Sequence, residues 1–225
     1  MHFPIVCVDN FYSNPDEVRE FALSQTFGEQ TGNFPGERTT ELHLINEDFF
    51  ASFCKRLFSL FYQFQTEEVK WIVESYFQKI YPYDKDKNSL MNEGWIHLDS
   101  NDSIAAGVIY LNPNSNPDAG TSFFHDINSD CEWDWNLRNN LYGGDQVDRE
   151  QYLREKQKNT NAYKKTLEIK NIYNRLSFYG TQHPHRETNF CASDTEPRLT
   201  QIFFVKELYS LSTPIERKNS YEITF

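Results

Sequence analysis

Apolar positions along the chain change their period near residue 70. Before it, rings recur at helical spacing. Val18, Phe21, Ala22 and Phe27 give a partial stripe, and Phe49, Phe50, Phe53, Leu57, Leu60 and Phe61 give a fuller one, so the spacing predicts a helix over about 46–63. The first stripe begins at Asn14-Pro15-Asp16-Glu17, where Asn can cap, Pro fits the first turn, and two acids complement the helix dipole. A short β-prone run at 4–8 precedes it, and residues 30–40, rich in Gly, Pro and Thr, read as loop. After residue 70 the texture is that of strands, at Trp71–Tyr81, Trp95–Leu98, Ile104–Leu111, Thr121–Phe124, Asn174–Tyr179 and Leu199–Val205. Asn112–Gly120 is a turn, and 130–165 reads as an insertion whose charged second half is helical over about 147–166. From Ser210 the tail is polar, with β-prone residues at its end.

Helices followed by a series of short strands predict an α+β, mainly β domain. The strands would close into a barrel-like or jelly-roll sandwich with the N-terminal helices packed on one sheet. With 225 residues and no repeat or linker, the reading is one domain over 1–225. It comprises an N-terminal strand and supporting helices at 1–70, the β core at 71–206, and the insertion at 130–165, read as a candidate lid. Aromatic residues make up 16% of the chain, so rings build much of the core. The net charge of −11 repels phosphate backbones and anionic lipid, so neither nucleic acid nor a membrane is an expected partner. Cys7, Cys54, Cys131 and Cys191 form no CxxC pair, there is no signal-peptide pattern, and no run reaches 18 apolar residues. A cytoplasmic protein is expected, in an oligomeric state that the sequence leaves open.

The candidate chemistry begins at Trp95-Ile96-His97-Leu98-Asp99. Residues i and i+2 of a strand share a face, so His97 and Asp99 can reach one ion. His-x-Asp alone is common by chance. Downstream, the segment Asn174 to His185 runs a strand into a turn and presents a histidine that can complete a two-His, one-carboxylate face. Thirteen residues beyond His185, Arg198-Leu199-Thr200 opens another apolar strand, and an arginine fork beside a hydroxyl suits a carboxylate.

Together these residues resemble the Fe(II)/2-oxoglutarate-dependent oxygenase superfamily, and most of all its prolyl-4-hydroxylase-like branch. The resemblance covers roughly 71–206, through His-x-Asp, the distal His, Arg-x-Thr, and Val108-Ile109-Tyr110-Leu111-Asn112 followed by Ala119-Gly120-Thr121-Ser122-Phe123. The N-terminal strand and helix also resemble the opening of that branch. It implies a double-stranded β-helix (jelly-roll, cupin-like) core and iron held by His97, Asp99 and His185. It further implies 2-oxoglutarate gripped at its far carboxylate by Arg198 and Tyr110, with Thr200 beside the arginine and Tyr81 as a further cosubstrate-facing tyrosine. The cofactors implied are Fe(II), 2-oxoglutarate and O2. The chain departs from the branch in three ways. Its turn reads Asp118-Ala119-Gly120-Thr121 where the family has Gly-Gly, the span from His97 to His185 is long, and His183 rivals His185 as the distal ligand. His185 is preferred for its Pro-His step and its distance to Arg198.

The expected activity is hydroxylation of a protein or peptide side chain. The alternatives are a small-molecule oxygenase and a non-catalytic β-sandwich binding or assembly protein. Nucleic-acid demethylation is disfavoured by the charge. Substrate-choosing candidates are His125, Trp133, Trp135, Arg138, Arg149, Arg175 and the Phe34-Pro35-Gly36-Glu37-Arg38 loop. For each of these, an ordinary role in packing, turns or solvation is the competing account.

Overall fold

A computed structural model describes residues 3–128, 131–193 and 195–212. The helical stripes form α1 (Pro15–Leu23), α2 (Leu42–Ile45) and α3 (Glu47–Phe58). The expected helix over 46–63 is therefore divided. Asn46, extended in its backbone, ends α2 and caps α3 by accepting from Phe49 N at 2.9 Å.

The strands are β1 (Val6–Val8), β2 (Glu37–Arg38), β3 (Lys70–Ile80), β4 (Ala105–Tyr110), β5 (Thr121–Asp126), β6 (Tyr163–Ile169), β7 (Leu176–Gly180), β8 (His185–Glu187) and β9 (Arg198–Tyr209). They make two antiparallel sheets, ordered β1-β7-β4-β9-β3-β2 and β6-β5-β8. Every residue of β4 is buried, because the helices cover one face of the large sheet and the small sheet covers the other. On the helix side, Phe203 stacks on Phe178 (centroids 6.0 Å apart) and meets Phe53 of α3 edge-on at 5.3 Å. On the other side, Val108, Tyr110, Tyr179 and Ile202 pack against Phe123 and Ile169 of the small sheet.

Two expected elements differ. Trp95–Leu98 is extended but is no strand, since it holds only one bridge, His97 to His185. The charged helix read over 147–166 is α5 (Arg149–Asn161), and the chain then becomes β6. Most of β6 is exposed, so no apolar face announces it, and Lys164, Lys165 and Glu168 suit the outer edge of a sheet. The segment expected as an insertion also holds α4 (Trp135–Tyr142). The end of the polar tail, from 213, lies outside the described residues. Among the described residues no helix is long and apolar enough to cross a membrane.

Phe203 is fully buried between rings of α3 and β7. Phe203→Ala is expected to cost about 3–5 kcal/mol in urea denaturation, and a loss below ~1 kcal/mol would show that the helix layer is not seated on this ring.

Candidate metal centre and its cavity

Leu98 is exposed, and the residues on either side of it turn inward. Backbone alternation thus puts His97 and Asp99 on one side even without a regular strand. His97 and His185 exchange both backbone hydrogen bonds, each 3.0 Å, which brings their rings to 4.5 Å between centroids. Asp99 Oδ1 lies 3.8 Å from His97 Nε2, and Asp99 Oδ2 lies 3.5 Å from His185 Nε2. One donor atom from each of the three residues falls within 4.8 Å of the other two.

The remaining ring nitrogens are committed elsewhere. Nδ1 of His97 meets the Trp95 carbonyl at 2.8 Å, and Nδ1 of His185 meets the His183 carbonyl at 2.9 Å. An Nδ1–H donated to a carbonyl leaves Nε2 bare and aimed at Asp99, the tautomer a metal requires. Burial, with His185 alongside, holds the His97 imidazole below its usual pKa against the pull of Asp99. Asp99 Oδ2 is sequestered and has no hydrogen-bond partner. A buried, unsatisfied carboxylate oxygen between two imidazoles fits a cation of the kind that takes mixed N and O ligands. His183 stands outside this group and supplies its carbonyl.

On one side the ligand segment meets β8, through that bridge and through Gly94 N donating to the Glu187 carbonyl at 2.9 Å, and on the other α5 stands where a strand would. Asn159 accepts from Ile96 N at 2.8 Å and donates to Ile96 O at 2.9 Å, so its amide imitates a paired peptide. Lys156 donates to the Gly94 carbonyl, and Trp95 Nε1 donates to Tyr152 Oη at 2.8 Å. Tyr152, Lys156 and Asn159 are fully buried and lie three or four residues apart on one helical face. Burial, reinforced by Arg186, pushes the Lys156 ammonium well below the usual lysine value. The two helices of the segment expected as an insertion therefore differ in placement. Its α4 contributes Trp135, Arg138 and Tyr142 to the cavity, whereas α5 braces the ligands from behind.

A cavity of about 520 Å³ opens in front of the three ligands, between the two sheets. Arg198 lines it while only 2% exposed; its Nε donates to the Ala119 carbonyl at 3.0 Å, and its guanidinium carbon lies 5.5 Å from the centre of the Tyr110 ring. Tyr110 Oη pairs with Thr121 Oγ1 at 2.8 Å, and burial pushes the phenol up to about 12. Thr200, opposite Tyr110 on β4 and Gln78 on β3, is fully buried with no partner for its hydroxyl. Tyr81 is not brought to this group. It is half exposed beyond the end of β3, and the inward place belongs to Ile80, which packs with Trp95 and Tyr142.

Arg149 pairs with Asp84, and Arg175 pairs with Asp9. His125 is exposed at the outer end of β5. Trp135 lines the cavity 5.5 Å from Trp95, with Trp133 behind it at 5.8 Å. Sequence reasoning missed Asn159 and Lys156, and also Glu187, a second carboxylate in the cavity wall. It saw the loop containing Arg38 but not that Arg38 reaches the cavity wall.

The chain belongs to the family described as "Family of unknown function (DUF6445)", whose model matches residues 2–205. No curated protein sequence matches it. Among solved structures, it is similar to a Trichoplax adhaerens prolyl hydroxylase in complex with a hypoxia inducible factor oxygen degradation domain peptide fragment. That match has 14% identity and a TM-score of 0.50 over 90% of this chain and 83% of that one. A Pseudomonas putida prolyl-4-hydroxylase aligns at 13% identity and a TM-score of 0.42, over 92% and 94% of the two chains. EvdO2 from Micromonospora carbonacea var. aurantiaca aligns at 11% identity and a TM-score of 0.48, over 95% and 90%. At such identities, the first likeness shows a shared fold.

Asn159→Leu strips both partners from Ile96 and should destabilise the protein by about 1–3 kcal/mol. It should also weaken metal binding about ten- to hundredfold, as loss of a supporting contact does, whereas His183→Ala should leave metal affinity unchanged. Calorimetric titration with Mn(II) reads both, and an unaltered affinity in Asn159→Leu would remove the bracing role.

Proposed function

We propose that this chain is an Fe(II)- and 2-oxoglutarate-dependent oxygenase, its two sheets forming a double-stranded β-helix around the cavity. One observation carries the reading. A two-histidine, one-carboxylate group with a buried, partnerless oxygen opens onto the same cavity as a buried arginine. His97, Asp99 and His185 would hold the iron, leaving the open positions that cosubstrate and oxygen need. When bound there, iron supplies the redox chemistry that couples oxidative decarboxylation of 2-oxoglutarate to oxidation of a C–H bond.

The chain's own residues do the rest. The Arg198 fork, held by Ala119, grips the far carboxylate of 2-oxoglutarate, and the Tyr110–Thr121 hydroxyl pair can turn one proton toward it. Thr200 stands two residues along the same strand face with an uncommitted hydroxyl. Tyr179, 4.5 Å from the His185 ring, and Phe123, at 6.2 Å, keep water from the inner side of the site.

Two substrate classes have support. The fold shared with a peptide-bound prolyl hydroxylase supports hydroxylation of a protein or peptide side chain. The walled cavity of about 520 Å³, bordered by α4, supports a small molecule as the second reading.

Succinate release should require both Fe(II) and 2-oxoglutarate and should cease on chelation. Turnover that survives chelation would end the proposal. Arg198→Gln should raise the dissociation constant for 2-oxoglutarate about ten- to hundredfold, the cost of a charged hydrogen-bonded pair, while metal affinity stays within twofold. His97→Ala should lose the metal itself.

A further inference from the structure

The cavity holds two arginines besides Arg198, in a chain whose net charge is −11. Arg38 reaches it from β2, the edge of the large sheet. It pairs in register with Gln78, Gln78 with Thr200, and Thr200 with Tyr110, so these four residues stand in one cross-strand row, of which Arg38 and Gln78 line the cavity. The turn before Arg38 is built for that placement. Gly36 has φ +70, and a β-carbon there would run into the Lys79 carbonyl, so only glycine lets the chain lie against β3.

Three rings enclose the Arg38 guanidinium, whose carbon lies 3.6 Å from the centroid of Phe34, 5.7 Å from Phe204 and 5.8 Å from Tyr76. Its Nε is sequestered without a hydrogen-bond partner, and among the described residues no carboxylate lies within ion-pair distance. Burial lowers it to about 10, so it stays charged at neutral pH. From the other side α4 supplies Arg138, tied through Nη1 to Asn139 Oδ1 at 2.9 Å and through Nη2 to the Asn33 carbonyl at 3.1 Å. Its guanidinium lies 4.8 Å from Tyr142 and 5.5 Å from Trp135. Arg38 is half-buried, Glu187 and Asp99 of the same cavity attract it without ion-pair contact, and a second cation facing the same space adds to the cost of holding it there. Planar forks stacked on rings in a cavity wall are the usual receptor for carboxylate or phosphate.

We propose that the prime substrate carries an oxyanion, which docks on Arg38 in the cavity wall with Arg138 of α4 facing it. The assignment rests on the oxygenase reading only in calling that ligand a substrate. It is separate from the cosubstrate's anchor. Arg38 stands on β2 and Arg198 on β9, two strands apart, which is about 10 Å at the backbone by ordinary strand spacing.

The test uses the full chain loaded with Mn(II) and 2-oxoglutarate without oxygen. It is screened by ligand-observed NMR against carboxylic-acid fragments and their primary amides, with inorganic phosphate titrated in parallel. Acids or phosphate should bind and amides should not. Arg38→Gln should weaken that binding about ten- to hundredfold, Arg38→Lys less, and Arg138→Gln measurably, with affinities for Mn(II) and 2-oxoglutarate kept within twofold. Phosphate binding without acid binding would mark a phosphorylated substrate, and the reverse a carboxylate. The proposal is overturned if acids and amides bind alike, if no oxyanion binds, or if Arg38→Gln weakens 2-oxoglutarate and spares the fragments. Should Arg38→Gln not fold, Arg138→Gln alone decides, an unchanged oxyanion affinity counting against the proposal. Should Mn(II) and 2-oxoglutarate fail to bind the wild type, the oxygenase reading falls, and the same fragments on the bare protein still decide for or against the Arg38 site.

Discussion

The two hydrogen bonds between the backbones of His97 and His185 are the constraint on which the site depends. They join residues 88 positions apart in sequence. The first lies in a segment that belongs to no strand, and the second opens a strand of three residues. Such a bridge is weak alone, since each net hydrogen bond contributes about 1 kcal/mol. It holds because the large sheet fixes Tyr179 beneath His185, and because α5 grips the other side of the ligand segment at Gly94, Trp95 and Ile96. A polar helix with most of its residues exposed thus buries Tyr152, Lys156 and Asn159 where a neighbouring strand would otherwise stand.

That arrangement explains what the sequence could disclose. The central strands were legible because burial on both faces writes an apolar run, as in Ile104–Leu111. His97 and Asp99 were legible because period-two alternation survives in extended chain that is not paired, so the inference held although the strand did not form. Both β6 and the end of α5 were illegible for a shared reason. Lys and Glu on an exposed edge strand carry the same composition as a solvated helix, and only pairing with β5 tells them apart. Tyr81 was misplaced by the opposite error, since a tyrosine near a strand end says nothing of which face it takes, and here Ile80 takes the inner one.

Asn159, Lys156 and Arg38 share a different kind of invisibility. Each acts through a contact distant in sequence, 63, 62 and 40 residues away. An asparagine or lysine in a charged helix reads as solvent-facing, as does an arginine in a Gly-Pro loop. What distinguishes Asn159 and Lys156 is full burial, and Arg38 its place in a cavity wall, neither of which sequence pattern reports for polar residues.

The distribution of charge ties these observations together. Acids outnumber bases by eleven over the whole chain, yet the cavity walls carry Arg38, Arg138 and Arg198 against Asp99 and Glu187. The acidic exterior weakly repels an anion in free solution and is screened within roughly 10 Å at ordinary salt. Against the cavity wall, where protein replaces part of the surrounding water, the same pairwise attraction is stronger. Discrimination therefore falls to the forks in the cavity wall, which act at short range and require the right geometry, and not to long-range steering. A neutral ligand that entered would leave Arg38 without an anion in contact, which disfavours it beyond poor fit alone. The loop carrying Arg38 and the helix carrying Arg138 meet through the Asn33 carbonyl, so the two halves of the anion receptor are joined by the protein before any ligand arrives.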